Sequence, residues 1–244
     1  MLKLLSLDNK KVRILSLMLM LSPFSVCAQF VLSATSGYGS FAMSDMKKLQ
    51  ASIINDFPVT GKITASFPSF WFFEASGIVR SETNLVVGGA VGYTSTGGRV
   101  SYSDYSGMLG VDQLLNSYSF SGIFGTVIKS GNPDFIITGA LRPGVIFTEL
   151  EIVYDQAMGG QHESNSYEFH SVNLSLQPTA TITWKFGWCA LHALGGYQVN
   201  VGSKLYLKGN RDAYLTDDND DPIKADWTGF RVGAGISFFL TGLQ

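Results

Sequence analysis

A stretch of fifteen residues alternates between apolar and polar side chains without a break. It runs from Val172 to Phe186, with apolar residues at the even positions and serine, threonine, asparagine, glutamine or lysine at the odd ones. Successive side chains of a strand point to opposite faces, so the stretch is predicted to be a strand with one apolar face. Strands of soluble proteins usually end after about five or six residues, whereas a tilted strand needs about nine to eleven to cross a bilayer. The length therefore predicts a membrane-spanning strand with its apolar face toward lipid.

The first 28 residues have the pattern of a secretory signal peptide. Basic residues at positions 10, 11 and 13 precede a short apolar run, which ends in small residues around Ala28. A membrane-spanning helix needs about 20 apolar residues, and this run is shorter. We expect cleavage after Ala28, which divides the chain into a signal peptide (1–28) and a barrel domain (29–244). A lipoprotein start at Cys27 is disfavoured because the bulky Val26 precedes it.

The composition of the exported part excludes several classes of protein. It keeps 13 basic and 18 acidic residues, a net charge of −5, which argues against a nucleic-acid partner. Only one cysteine remains, Cys189, so no internal disulfide is possible. We find no later apolar run long enough for a membrane helix. A membrane-spanning chain without such a helix must form a closed barrel, because every main-chain polar group needs a partner in lipid.

The period-two pattern recurs along the chain and gives a strand count. The eight predicted strands cover residues 30–39, 69–80, 85–95, 116–128, 135–148, 167–186, 190–205 and 227–240. Short connections rich in glycine, asparagine and proline alternate with long ones at 40–68, 96–115, 149–166 and 206–226. Short periplasmic turns and long outer loops are typical of outer-membrane barrels. The predicted fold is all-β, an eight-stranded antiparallel transmembrane β-barrel. A soluble lipocalin-like barrel, with its apolar face inward, is the alternative.

Four charged residues fall on the polar faces of these strands, so we expect them in the barrel interior: Glu74, Arg142, Lys185 and Arg231. Side chains fill the lumen of a barrel of about eight strands, and an unpaired charge there is costly. We therefore expect a polar, filled interior in which Glu74 pairs with Arg142 or Arg231. The interpretation of these charges is structural rather than catalytic.

The long loops contain the candidate surface features. A short helix is predicted over 44–57, where Ser44 caps a run of apolar residues at helical spacing. It could lie on the outer leaflet, cap the barrel mouth or pack on its own loop. The second loop combines tyrosine, serine and glycine, a composition of adaptable contact surfaces. The surface-interaction candidates are Arg99, Tyr102, Asp104 and Tyr105. For the acidic run 217–221 we favour a solvated turn over a calcium site, because the EF-hand spacing is absent.

Three segments carry a resemblance to a known family: the stretch 96–107, the signal end Ala28-Gln29 and the helix start 43–49. They resemble small outer-membrane β-barrel proteins of the Bacteroidota. The resemblance covers most of the exported chain, and it implies the outer membrane of a Gram-negative bacterium and a barrel fold rather than an activity. The last strand departs from the usual pattern, because Phe239 is followed by five further residues instead of ending the chain.

The expected function is a non-catalytic structural or surface-interaction role, with no cofactor and no metal. The expected partners are outer-membrane lipid and lipopolysaccharide, the outer-membrane assembly machinery and an unidentified extracellular ligand. A narrow pore or transporter for small or apolar solutes is one alternative. A lipid A-modifying enzyme is another, since His170 and Ser171 with Glu168 are similar to a serine–histidine deacylase. Strand alternation sends His170 and Ser171 to opposite faces, however, and the hydrolase and metalloprotease motifs are absent. We assign His192 to the packed lumen.

Overall fold

The computed structural model describes residues 29–55, 61–105, 107–128, 134–158 and 161–240. The predicted signal peptide lies outside these ranges, as do residues 56 and 57 of the predicted helix. In chain order the elements are β1 (Gln29–Gly39), α1 (Ser44–Asn55), β2 (Lys62–Ser66), β3 (Phe70–Arg80), β4 (Leu85–Asp104), β5 (Gly107–Ile128), β6 (Phe135–Met158), β7 (Gln161–Phe186), β8 (Cys189–Val201), β9 (Tyr206–Leu207), β10 (Asn210–Tyr214) and β11 (Gly229–Leu240). Within these ranges no helix combines the length and the hydropathy needed to cross a membrane.

Eight of the strands close into a ring in which all neighbours are antiparallel. The order around the ring is β1, β3, β4, β5, β6, β7, β8 and β11, and β11 pairs with β1 from Phe30–Leu240 to Gly39–Arg231. Closure leaves no strand edge inside the bilayer, which satisfies the main-chain polar groups there. The predicted eight-stranded antiparallel barrel is therefore confirmed. The short strands β2 and β9 pair alongside the outer parts of β4 and β7.

The outer surface of the barrel is a belt of exposed apolar side chains. On β7 every even-numbered residue from Val172 to Phe186 is exposed, whereas every odd-numbered one between them is buried or half-buried. On β11 Phe230 is 65% exposed and Ile236 is 45% exposed. A soluble carrier would direct these residues into a shared central cavity. The lipocalin-like alternative is therefore wrong.

Aromatic side chains are concentrated at the two ends of this belt. Near the short turns, Trp184 stacks on Phe186 at 5.3 Å between ring centroids. At the other end Tyr93 contacts Tyr118 at 5.3 Å, and further exposed rings follow around the barrel. An apolar band between two aromatic girdles is typical of outer-membrane barrels. The ring, the belt and the girdles together define a transmembrane β-barrel of the outer-membrane type.

Four strands continue well beyond the upper girdle, so the predicted loops 96–115 and 149–166 are wrong. β4 and β5 stay paired as far as Asp104–Gly107, and β6 and β7 as far as Met158–Gln161. Apolar and polar residues alternate where the outward face of a strand contacts lipid, because that face must be apolar. The alternation ends where the outward face meets water. Main-chain pairing continues above that level with mostly polar outward residues, although the exposed Leu114 is an exception. We call this extension the wall (residues 96–104, 107–115, 149–158 and 161–170).

The remaining segments on this side fold into the barrel mouth and form a plug (residues 40–55, 61–67 and 203–228). Its apolar core contains Met43, Met46 and Trp227, all 0% exposed, packed against Leu115 and Leu150 of the wall. α1 turns the face that carries Met46 into this core. Of the three placements considered for the helix, the structure has the one that caps the barrel mouth.

The predicted polar interior holds only for the middle of the barrel. Above it lies the apolar core of the plug. Below it Val31, Val86, Ile123 and Phe239 point inward and are buried. Burial of apolar surface is favourable wherever water is excluded, whether or not the neighbouring positions are polar. An interior that side chains fill therefore accepts both kinds of residue.

Candidate functional site

Glu74 of β3 and Arg142 of β6 meet inside the barrel. Nη2 of Arg142 lies 2.6 Å from Oε1 of Glu74, and the two side chains are 3% and 15% exposed, respectively. Of the two partners predicted for Glu74, Arg142 is the one in contact. Within the described residues Nε and Nη2 of Arg142 lack an acceptor in hydrogen-bond geometry, so the contact is an ion pair and not a bidentate fork. The pair lines two lumen cavities, which leave about 90 Å³ and about 40 Å³ for the centres of water molecules.

Arg231 forms no ion pair with any described residue, contrary to the expectation for the lumen charges. Its Nη1 donates to the carbonyl oxygen of Ser40 at 3.0 Å, and its Nη2 donates to that of Trp227 at 3.4 Å. Its guanidinium also lies 4.7 Å from the ring centroid of Phe41. Carbonyl dipoles and a ring face therefore take the place of a carboxylate. Through these contacts Arg231 ties both ends of the plug to the barrel.

The other polar groups of the lower lumen are also engaged structurally. His192 contacts the hydroxyl of Thr35 through Nε2 at 2.9 Å and that of Ser237 through Nδ1 at 2.8 Å. Lys185 was expected in an ion pair, but its Nζ lies 4.8 Å from the ring centroid of Phe239 near the short-turn end. A lysine this close to the rim can keep its ammonium near water.

The four predicted surface candidates do not form one site. Tyr102 donates its hydroxyl to Oδ2 of Asp104 at 2.6 Å, and this hydrogen bond to a carboxylate raises the pKa of Tyr102. Arg99 points to the opposite face, where its Nε lies 3.2 Å from Oδ1 of Asp112. Tyr105 occupies the turn between β4 and β5 and is fully exposed. The two-residue alternation of a strand separates Arg99 from Tyr102, which the prediction of a loop did not take into account.

The concave side of the wall carries an aromatic cleft that the sequence analysis missed. Tyr154 of β6 and Tyr167 of β7 are in edge-to-face contact, with ring centroids 6.0 Å apart. They line a cleft of about 390 Å³ together with Phe169 of β7 and Leu215 of the plug. Burial raises the pKa of Tyr154. The available signal was the alternation of acidic and apolar residues at 149–152, Glu-Leu-Glu-Ile, which continues the strand toward Tyr154.

The opposite, outward side of the same two strands is acidic. Glu149, Glu151 and Asp155 of β6 point outward by alternation, as does Glu168 of β7. Nζ of Lys208 pairs with Glu168, and this contact raises the pKa of Lys208. The wall therefore has an aromatic concave side and an acidic convex side.

The groups considered for a lipid A-modifying enzyme are not brought together. Ser171 is 2% exposed and points inward, whereas His170 lies half-buried on the outward side. Glu168 shares that outward side, where Lys208 engages it. The hydroxyl that would act as nucleophile is therefore on the far side of the sheet from both partners.

The acidic run 217–221 forms a turn held by its own first residue. Oδ1 of Asp217 accepts the backbone N–H groups of Asn219 at 3.0 Å and of Asp221 at 2.9 Å. In the part of the chain that the structure covers, no three histidine, cysteine, aspartate or glutamate side chains are grouped so that they could hold a metal ion.

No family model matches the sequence, and no curated protein matches it. Among solved structures, Neisserial surface protein A is 12% identical over 88% of this chain and 100% of its own, with a TM-score of 0.36. Ail, the attachment invasion locus protein of Yersinia pestis solved with the heparin analogue sucrose octasulfate, is 15% identical over 86% and 99%, with a TM-score of 0.35. The outer membrane protease OmpT from Escherichia coli is 10% identical over 87% and 96%, with a TM-score of 0.30. The class assignment given above rests on the geometry of the ring, the belt and the girdles.

Proposed function

We propose that this chain is a non-catalytic barrel of the bacterial outer membrane that makes surface contacts through its wall. The observation that supports this is the height of the wall and the continuous pairing of its four strands. Four paired strands carry Tyr102, Tyr105, Tyr154 and Tyr167 above the upper girdle, and the packed plug supports them from below. Functional residues held on such a paired scaffold lose little conformational entropy when they bind.

The narrower parts of the proposal concern origin, export and partners. The chain would be a small Bacteroidota-type barrel, exported by residues 1–28 and cut after Ala28. Its partners would include lipid, lipopolysaccharide, the assembly machinery and a ligand outside the cell.

Sequencing of the N-terminus of the membrane-extracted protein should give Gln29 as the first residue. Proteolysis of intact cells should cleave tags inserted between β4 and β5 and between β6 and β7 and spare a tag at Glu82.

The function is tested by replacing together the four candidates of the first hairpin of the wall, which consists of β4 and β5. Arg99, Tyr102, Asp104 and Tyr105 would be replaced by alanine, and adhesion of the expressing cells would be measured on abiotic surfaces, on sister cells and on immobilised proteins and glycans. The matched control replaces the exposed Glu82 and Thr83 of a short turn at the other end of the barrel. We expect a loss of about tenfold on at least one surface, at equal amounts of inserted protein, because a few central side chains carry most of a contact. If the four substitutions change neither adhesion on any of these surfaces nor any envelope phenotype of the cells, the proposed surface-contact function is contradicted.

A further inference from the structure

The outer edge of β7 above the plug is an open strand edge. Lower down, β9 covers this edge at Phe169 and His170. Above that point the segment 161–168 pairs with β6 and with no other described strand, and all eight of its residues are exposed. Natural sheets usually protect such an edge with proline, charged residues (lysine above all) or a bulge. Between 161 and 168 there is no proline, lysine or bulge, and the charged residues are Glu163 and Glu168.

The direction of the free peptide groups follows from two hydrogen bonds lower on the same edge. The carbonyl oxygen of Glu168 accepts the N–H of Lys208 at 2.8 Å, and the N–H of Val172 donates to the hydroxyl of Ser203 at 3.1 Å. In an antiparallel strand the N–H and C=O of one residue point to the same edge, and the edge alternates along the chain. The N–H and C=O groups of the even-numbered residues of β7 therefore point to the open edge. Ser164 and Ser166 present donors and acceptors spaced by about 6.7 Å, the repeat of an added strand.

The two faces beside this edge differ in chemistry. The convex face carries Glu149, Glu151 and Asp155 of β6, one strand in from the edge; within the described residues none of them forms an ion pair, although the charge of Glu149 acts on Lys208. The concave face carries the cleft of Tyr154 and Tyr167. A strand added to β7 would direct alternate side chains to these two faces. Lysine or arginine would meet the carboxylates, and apolar side chains would meet the tyrosines.

We propose that the segment 161–168 binds an extended, basic polypeptide as an additional strand, with basic and apolar residues alternating along it. Main-chain hydrogen bonds to Ser164 and Ser166 provide affinity, and the two faces provide selectivity. This inference names the partner of the surface role proposed above and rests on it.

The test uses the full barrel in nanodiscs of zwitterionic lipid and a short fluorescent peptide of alternating lysine and valine. We expect saturable binding by anisotropy, weakened by added salt, and no binding of the matching glutamate–valine peptide. A peptide of the same composition with its lysines in one block should bind at least about tenfold more weakly, because it cannot match both faces. Absence of saturable binding up to about 1 mM, or equal binding of the glutamate peptide, overturns the proposal.

The double variant Ser164→Pro/Ser166→Pro isolates the main-chain contribution. Proline removes an N–H that faces the open edge and leaves the ladder to β6 intact, which strand edges tolerate. The matched control, Ser164→Ala/Ser166→Ala, keeps both N–H groups and removes the hydroxyls. We expect at least about tenfold weaker binding for the proline variant and parent-like binding for the alanine variant. Folding of both is checked by the heat-dependent mobility of the barrel on gels.

The possible outcomes separate this inference from the function on which it rests. If the proline variant binds the peptide like the parent, strand addition is wrong. The surface role then still stands if the four alanine substitutions at the first hairpin reduce adhesion. If neither set of substitutions changes binding or adhesion, both proposals fall.

Discussion

At the scale of single residues, the interior pair Glu74 and Arg142 shows how burial changes the value of a charge. Both side chains are largely removed from water, and their closest atoms are 2.6 Å apart. In such a setting the loss of one partner leaves a buried charge without compensation. The loss of both partners removes the charge altogether.

The single substitutions Glu74→Gln and Arg142→Gln should each destabilise the barrel by about 3–5 kcal/mol, because each leaves one buried charge alone. The double substitution should cost clearly less than the sum of the two. Urea unfolding in lipid vesicles, followed by tryptophan fluorescence, gives the three free energies. Additive costs would show that the two groups act independently. Arg80→Gln, in the same lumen but outside the pair, is the control.

Tyr102 offers a pH-dependent measurement above the membrane. Its hydrogen bond to Asp104 raises the pKa of the phenol, so the parent keeps this proton to higher pH than an ordinary tyrosine. Asp104→Asn should lower the pKa of Tyr102 toward its usual value, since the ionised acceptor is gone. Carbon NMR titration of the labelled tyrosine rings measures this change. Asp112→Asn removes the partner of Arg99 instead and should leave Tyr102 unchanged.

At the scale of elements, the plug depends on close packing of α1 against the strands. Gly98 of β4 lies directly under Gln50 and Phe67, and a Cβ at that position would collide with both side chains. Gln50 in turn donates from Nε2 to the carbonyl oxygen of Ala65 at 2.9 Å, which joins the helix to β2. The glycine in β4 is therefore the position that lets the helix approach the strand.

Met46→Ala should destabilise the plug by about 2–5 kcal/mol, because the side chain is fully buried and its removal leaves a cavity. The barrel below should stay intact, since the ring does not depend on this helix. Hydrogen exchange of the α1 amides should become faster while exchange in β7 stays slow. Lys47→Ala, on the exposed side of the same helix, should change neither. Equal acceleration in α1 and β7 would mean that plug and barrel unfold together.

The elements differ in how well the sequence predicts them, for a physical reason. Inside the bilayer one face of β7 must be apolar, so the alternation from Val172 to Phe186 identified both strand and face. In the wall the outward face meets water, and no rule on apolarity marks the strand. The aromatic cleft was missed for the same reason, because Tyr154 lies in the segment 149–166 that was predicted as a loop, and Tyr167 is the first residue of the predicted strand 167–186 and had no predicted partner strand at this level. Arg231 is bound by carbonyl groups of segments distant in sequence, which no local pattern reveals.

At the scale of the whole molecule, the interior is closed at more than one level. The plug core seals the upper part, and the Glu74–Arg142 pair lies between two small cavities in the middle. We therefore expect the purified barrel to show no steady conductance in planar bilayers, which is the measurement that addresses the pore alternative. Stable channels of uniform size in the parent would contradict this. A barrel with the 203–228 segment shortened is the comparison that tests whether the plug is the barrier.

The pairing of β1 with β11 also has a consequence for biosynthesis. These are the first and last strands that the structure describes, so the seam of the cylinder can form only after the final strand has been synthesised and exported. Before the ring closes in the bilayer, the apolar side chains of the belt are exposed to water, and such exposed apolar surface can aggregate. Contacts between residues this far apart in the chain also form slowly. The apolar belt therefore stays exposed to water until the cylinder closes in lipid, which makes late closure a risk for aggregation.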